Sequence, residues 1–584
     1  MDAAEGAPGA RGTTRQGCDG GRLAGRSLQG RGRGSTVPGY WTSRPLRVLT
    51  CPVDPAGALP PRSGRDRRPV GRSGGALALA TGGCRWRSPQ GRTTRTSDRT
   101  PTSWRASATA RSSGGPRSIW TIPIVVAGQL LVSLVFAELG SSYPLAGALY
   151  QWSRRVIGPS YGWWIGWIYA WALIITVASV DTGITGYVIT IINNWFGTHF
   201  TAASPNVILV CTIVLIAIQA TINIVGVNYT ALIARWGVWV EVFGTFGVFV
   251  LLAAAGFHHS AGYLNSTSGT TRAAHNPFGV SFGGSWFPGA ALVAVLANVY
   301  IFYGFESAGD IAEEVVDARP RVPRAMVTTM IVGGITSFVL VAGLALAIPG
   351  SNLSKVITGG VPYIISSNIH SSALADTVLV LICLAFFSCG LSVQAAGSRV
   401  LCSYARDRQL PASRALRSIS RRTKTPVAAV LVATVLPALF ALLARATPSK
   451  PIHILFFTYP AKVNALFILV SFATSGIYLS FQMVVLGALI GRIRRWRPAG
   501  FDLGRWAYPV YVVAMIYGVG MLVNIVFPSA LTSPRAALFN YGWMTLVVMV
   551  VILVIGAVVY LAHRPHLRHG EDVKELVQSG SEVR

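Results

Sequence analysis

Two carboxylates and two glycines interrupt an otherwise apolar stretch at residues 289–311. Gly304 and Glu306 follow a long apolar run, and a second glycine and Asp310 come within the next four positions. A carboxylate inside a membrane helix costs free energy unless it faces a cavity or a partner, so it marks a candidate functional residue. A glycine-interrupted membrane helix also exposes backbone amides and carbonyls to a substrate. The stretch therefore predicts a substrate-binding break at Gly304, Phe305 and Glu306, with Asp310 on the same helical face as Glu306.

Two tyrosines precede this break. Tyr300 and Tyr303 lie four and one positions before Gly304. An aromatic ring can serve as a movable lid and can hold an ammonium group by a cation–π contact. Both residues are therefore candidates for binding substrate, although the rings could instead pack against neighbouring helices.

Glu241 is a third carboxylate within an apolar run, at residues 236–252. A glutamate in that setting could bind and release a proton, or pair with a cationic group on a substrate. The sequence equally allows a protonated acid with a structural role. We keep Glu241 as a candidate for coupling or gating, together with Asp310.

The composition indicates an all-α polytopic membrane protein. The chain has 584 residues, of which 52% are hydrophobic and 12% charged, and its apolar runs reach about 20 residues. The net charge of +29 comes largely from the first 117 residues and otherwise from short loops, so nucleic-acid binding is not expected. Eleven segments are predicted to span, near 118–140, 162–192, 206–224, 230–256, 289–311, 326–349, 375–403, 425–444, 460–490, 507–527 and 541–562.

The charges of the loops predict the orientation. If the C-terminus is cytoplasmic, the basic loops fall on the cytoplasmic side, as membrane insertion requires; they contain Arg154, Arg155, Arg235, Arg319, Arg321, Arg324 and the runs 406–424 and 492–505. Eleven helices leave the arginine-rich N-terminal region on the other side. A twelfth helix before Ser118 would bring it to the cytoplasm, so charge alone suggests that a first helix is missing.

Residues 1–115 differ from the rest of the chain. They are rich in Arg, Gly, Ser, Thr and Pro, contain no lysine and include no apolar run long enough to span. One interpretation is a disordered basic tail. The other is a segment translated out of frame or upstream of the true start. Residues 566–584 are expected to form a short cytoplasmic tail.

Nothing in the sequence indicates an enzyme. The seven cysteines show neither zinc-site nor disulfide spacing. No nucleophile–base arrangement, metal-ligand cluster or nucleotide-binding loop stands out, so we expect no cofactor beyond a coupling ion.

Several separate motifs resemble the amino acid–polyamine–organocation permeases. Around the break, the similar residues are Gly304-Phe305-Glu306-Ser307, Ala312-Glu313-Glu314, Arg319-Pro320 and Pro323-Arg324-Ala325. Other stretches resemble the family's second and eighth helices, at residues 136–139, 143–150, 397–401, 405–407 and 410–411. The likeness extends over roughly residues 114–565 in the family's order, with the permease domain at residues 116–565, and is greatest to the amino acid/choline permeases, including those for 4-aminobutyrate.

The resemblance implies a LeuT-like fold of two inverted five-helix repeats followed by two further helices. Substrate would lie at mid-membrane between broken helices one and six. An aromatic ring at Tyr300 would close over substrate, and Ser388 would lie near the fold's second sodium site. Glu241 stands near a point where proton-driven relatives have a lysine. Gly114-Gly115-Pro116 resembles the loop after the first helix, yet that helix is not recognisable here.

The resemblance therefore implies a multi-pass protein of the plasma membrane. It would transport an amino acid or amine by alternating access, as a symporter or antiporter driven by H⁺ or Na⁺. The alternative is a truncated, non-transporting membrane protein of the same fold, acting as a remnant, sensor or subunit. At Glu313 and Glu314 we expect solvated ion pairs with Arg319 or Arg324. The sequence does not indicate an oligomeric state.

Overall fold

A computed structural model describes residues 115–200, 204–267, 289–350, 353–445, 452–454, 457–459, 465–526 and 541–563. The predicted N-terminal region lies outside the described residues except for Gly115, and the tail 566–584 lies outside them entirely. The missing first helix and these two boundaries therefore stay predictions.

The described chain is almost entirely helical. Its helices are α1 (Thr121–Ser142), α2 (Ala148–Val156), α3 (Pro159–Phe196), α4 (Pro205–Val225), α5 (Val227–Ala255), α6 (Gly289–Ile301), α7 (Ser307–Asp310), α8 (Ala318–Leu346), α9 (Leu353–Asn368), α10 (Ser372–Arg406), α11 (Ser413–Leu416), α12 (Val427–Arg445), α13 (Ala465–Ile493), α14 (Ala507–Val526) and α15 (Tyr541–His563). Strands β1 (Ile452–Ile454) and β2 (Phe457–Tyr459) form one antiparallel hairpin.

All eleven predicted apolar segments coincide with helices. In the part of the chain that the structure describes, nine helices are long and apolar enough to cross a membrane. The other two predicted segments are α12 and the pair α6 and α7, which together form one interrupted helix. The prediction of an all-α polytopic membrane protein is thus confirmed. The short helices α2, α9 and α11 and the hairpin were not predicted.

Helix α3 is the inner helix of the bundle. Within its most apolar window 89% of the residues are buried, against 11% for α5. Its 38 residues extend about 57 Å at 1.5 Å per residue. Small residues allow close approach: a side chain at Gly476 on α13 would come within 2.8 Å of Ala172, and one at Gly166 would collide with Tyr404 on α10. Helix α3 therefore offers its side chains to several neighbours at once.

One end of the bundle, here called the arginine-rich face, is held by a buried ion pair. Glu138 on α1 is fully buried, and its Oε1 lies 2.6 Å from Nη2 of Arg492 on α13. The same carboxylate accepts hydrogen bonds from the Leu503 amide, at 2.6 Å, and from the Tyr511 hydroxyl. Arg492 also pairs with Asp502 at 2.6 Å. This network fixes the loop between α13 and α14 to the end of α1.

A second network at this face joins the loop after α7 to α10. Glu314 pairs with Arg399 at 2.9 Å, and Glu313 pairs with Arg406 at 2.8 Å. The Glu313 carboxylate also accepts a hydrogen bond from the Ala146 amide at 3.2 Å. Our expectation that these glutamates pair with Arg319 or Arg324 was therefore wrong, because α10 extends past the membrane segment and brings its own arginines to them.

Removing the Arg492 side chain should make the protein easier to unfold. An Arg492→Met substitution leaves the buried Glu138 carboxylate without its cation, which we expect to lower the free energy of unfolding by about 3 kcal/mol. The matched control is Arg321→Met, since Arg321 pairs at 3.8 Å with Asp317 and both side chains are exposed; its effect should stay below about 0.5 kcal/mol. Denaturant unfolding in detergent measures both. Equal stabilities of the two variants would contradict the buried network.

Candidate functional site

The break between α6 and α7 is a backbone turn held by a carboxylate. Helix α6 ends at Ile301 and α7 begins at Ser307. Gly304 has φ of +103°, a conformation that disfavours any residue with a Cβ atom. Its amide donates to Oε2 of Glu306 at 2.9 Å. The predicted interruption is confirmed at this position, and Glu306 satisfies a backbone donor that the interrupted helix leaves without a helical partner.

Space is open beside this turn. A methyl group placed on Gly304 would have no neighbour within 4 Å among the described residues. The glycine is therefore needed for its backbone conformation and not because another side chain crowds it. The free volume next to exposed backbone is where a small ligand could lie.

A stripe of hydroxyl groups on α3 faces the break. The hydroxyl of Tyr300 lies 2.9 Å from Oγ of Ser179, and that of Tyr303 lies 3.2 Å from Oγ1 of Thr176. The two tyrosine rings meet edge to face, with centroids 5.5 Å apart. Tyr169 lies seven residues before Thr176, which places it on the same helical face. The two tyrosines predicted from sequence are thus brought together against α3.

Tyr169 joins the two carboxyl groups of the break. Its hydroxyl donates to Oδ2 of Asp310 at 2.6 Å and lies 3.5 Å from Oε1 of Glu306. Both carboxyl groups are fully buried, and Oδ1 of Asp310 has no partner among the described residues. A phenol donates only one hydrogen bond. Two ionised carboxylates would repel each other here, so the arrangement is suited to holding a proton.

Phe305 packs against two phenylalanines of other helices. It is buried against Phe136 on α1 and Phe481 on α13, with ring centroids 5.7 Å and 5.5 Å away. The structure therefore places Phe305 in the hydrophobic core. Its aromatic contacts anchor the break to α1 and α13.

Ser388 lies where α10 packs against α5. Ser388 packs so closely against Gly237 that a side chain at that glycine would collide with it. Glu241 follows one turn later on α5, and its side chain is exposed at the surface of the bundle. In the described part of the chain, neither residue is joined to Glu306 or Asp310 by a hydrogen bond or an ion pair.

Sequence reasoning missed Tyr169, Thr176 and Ser179. Hydroxyl residues three and seven positions apart were visible in an apolar segment. That spacing places them on one helical face, and this is the sequence feature that could have identified them as candidate site residues. Their partners are more than 120 residues away, so the sequence could not show which helix they would contact. Among the described residues, no group of three or more His, Cys, Asp and Glu side chains could hold a metal ion.

Comparisons with known proteins relate this chain to permeases and transporters. A family profile described as amino acid permease matches residues 100–555. The sequence is 25% identical over 433 residues to a Macrophomina phaseolina protein provisionally named an amino acid/polyamine transporter, covering 72% of this chain and 88% of that protein. It is 23% identical over 424 residues to the amino-acid permease BAT1 of Arabidopsis thaliana, covering 69% and 76%. The crystal structure of MhsT in complex with L-phenylalanine is 13% identical, with a TM-score of 0.48, covering 72% and 94%.

Removing the Tyr169 hydroxyl should destabilise the break. In Tyr169→Phe, the buried Asp310 loses its hydrogen-bond donor, and we expect the free energy of unfolding to fall by about 2 kcal/mol. The loss should be larger in alkaline than in mildly acidic buffer, because a donor matters most to an ionised carboxylate. Tyr161→Phe is the control, since that hydroxyl donates to the neutral carbonyl of Met483 at 2.6 Å. A loss in Tyr169→Phe that is independent of pH would contradict this role.

Proposed function

We propose that this chain, which belongs to the amino acid permease family, transports an amino acid or a related amine across the membrane. The observation that carries the proposal is the interrupted helix, with open space at Gly304 beside two tyrosines that are held against α3. Transport would proceed by alternating access, as a symport or an exchange driven by a proton or cation gradient.

In this proposal the substrate binds next to Gly304. A carboxylate or amine would meet backbone groups of the interrupted helix. Tyr300 would close over the substrate, and its ring could contact an ammonium group. The hydrogen bond between its hydroxyl and that of Ser179, at 2.9 Å, would break and form again as the tyrosine moves. Tyr303 would line the same site through its contact with Thr176.

The proposed coupling element is the pair of carboxyl groups of Glu306 and Asp310, next to the proposed substrate position. Glu306 binds the Gly304 amide and, with Asp310, shares the Tyr169 hydroxyl. A proton held by this pair would therefore be linked directly to the shape of the break. Glu241 on α5 and Ser388 on α10 are the further candidates for coupling or gating. The coupling ion would be H⁺ or Na⁺, and no other cofactor is proposed.

Opening toward the arginine-rich face would require two ion pairs to separate. Glu313 and Glu314 follow the break by fewer than ten residues and join it to Arg406 and Arg399 on α10. Although burial favours its neutral form, the Arg406 guanidinium holds the pKa of Glu313 below its usual range. The Glu313–Arg406 pair is therefore charged at neutral pH. We propose that these pairs keep this face closed in the conformation described.

The proposed setting is the plasma membrane, with the C-terminus in the cytoplasm. Basic residues gather in loops at one end of the bundle, which is the pattern that cytoplasmic loops show. The lipid bilayer is then the surrounding partner, and the exposed apolar side chains of α5, α14 and α15 would face it.

Counterflow of a labelled amino acid in proteoliposomes tests the proposal. The wild-type chain should exchange internal for external substrate. Gly304→Leu should reduce the exchange at least about tenfold, because leucine is strained at a φ of +103° and fills the space beside the break. The matched control is Gly333→Leu on α8, where a side chain also meets no neighbour within 4 Å and no positive φ is required.

Two results would contradict the proposal. Normal exchange by Gly304→Leu would place the substrate elsewhere. Absence of exchange by a correctly inserted wild-type chain, across a panel of amino acids and amines, would favour the non-transporting alternative instead.

A further inference from the structure

A second buried carboxylate lies in the bundle, on α3. Asp181 is fully buried, and its Oδ1 accepts a hydrogen bond at 2.7 Å from Nε2 of Gln219 on α4, which is also fully buried. Among the described residues, Oδ2 of Asp181 and Oε1 of Gln219 have no hydrogen-bond partner. Two acceptors that belong to one bonded pair are therefore left without a donor.

This pair is separate from the tyrosine site. Asp181 follows Ser179 by two residues, which turns its side chain by about 200° around the helix. It points toward α10 instead, at Gly390. A side chain there would come within 2.8 Å of Oδ1 of Asp181 and 2.5 Å of Nε2 of Gln219. The carboxylate and the amide thus fill the space that the glycine leaves open between α3, α4 and α10.

The two oxygen atoms without a donor favour the binding of a positive charge. An ionised carboxylate with one neutral amide partner is costly in an apolar interior. A proton on Oδ2 could be donated to Oε1 of Gln219, which would close a ring of two hydrogen bonds. A sodium ion could instead bind both free oxygens. A divalent ion would need more carboxylates than the described residues bring together here.

We propose that Asp181 and Gln219 form a binding site for one monovalent cation, a proton or a sodium ion, enclosed by α3, α4 and α10. The site would be a coupling site for transport, and in that respect it rests on the proposed function. The titratable groups that interact electrostatically with Asp181 are Cys211 on α4, Tyr300 on α6 and Cys389 on α10. Glu241 on α5 acts on the same Cys389.

The link to transport passes through Tyr300. Ser179, whose hydroxyl lies 2.9 Å from that of the proposed lid tyrosine, is only two residues from Asp181 on the same helix. In this proposal, binding of a cation at Asp181 would be transmitted to the lid along this short segment of α3. Release of the cation would require water to reach a side chain that is fully buried in this conformation.

Thermal unfolding of the purified full-length chain in detergent tests the site without requiring transport. A cation that binds only the folded chain raises the unfolding midpoint. We expect a rise of about 2 °C once the cation exceeds its dissociation constant tenfold. One series varies Na⁺ at constant pH and constant ionic strength, with choline as the replacing ion. The other series varies pH without Na⁺.

Two variants test whether the response depends on Asp181 and Gln219. Asp181→Asn should fold, because two amides can form the same pair of hydrogen bonds, and it should lose the response to the cation. Gln219→Met should raise the dissociation constant of the cation about tenfold, because it removes one ligand oxygen while keeping a side chain of similar volume. The control is Asp317→Asn at an exposed aspartate, which should respond like the wild type.

The outcomes separate the sources of the charge. A response to Na⁺ at constant pH that Asp181→Asn abolishes identifies a sodium site. A response to pH alone that the variant abolishes identifies a proton site. Identical responses of wild type and Asp181→Asn overturn the proposal. If the Asp181-dependent response is present but counterflow is absent in the wild type, the cation site stands and the proposed transport function fails.

Discussion

The hydrogen bond from the Gly304 amide to the Glu306 carboxylate is the contact on which the site depends. The helix is interrupted there because Gly304 adopts a backbone conformation that other residues avoid. An interruption inside an apolar bundle leaves polar backbone groups without partners, which is costly unless a side chain supplies one. Glu306 does so at 2.9 Å. The break and its buried carboxyl group therefore stabilise each other.

From this point the structure extends in two directions. Toward the core, Phe305 fixes the break between α1 and α13, while the tyrosines fix α6 against the hydroxyl groups of α3. Toward the arginine-rich face, Glu313 and Glu314 attach the chain just after the break to α10. A change at Glu306 is thus connected by short covalent segments both to the open space beside Gly304 and to the ion pairs at the end of the bundle.

Sequence alone predicted the elements that depend on local pattern. The eleven apolar segments, the break at Gly304 and the four-residue spacing of Glu306 and Asp310 are all set by residue type along one stretch of chain. The partners of those residues were not predictable. Tyr169 contacts the carboxyl groups of the break from a helix far away in sequence. Arg399 and Arg406 contact the glutamates after α7 in the same way, and Gln219 contacts Asp181. Such contacts depend on which helix faces pack together. The helical period of one sequence shows which residues share a face, but it does not show which faces meet.

Hydrogen–deuterium exchange of residues 302–306 tests the central claim most directly. We compare the wild type with Glu306→Gln, which keeps an oxygen that can accept from the Gly304 amide, and with Glu306→Ala, which removes it. If the carboxylate holds the break, the alanine variant should exchange at least about tenfold faster in this segment, and the glutamine variant should remain close to the wild type. Equal exchange in all three proteins would mean that the break is held by something other than Glu306.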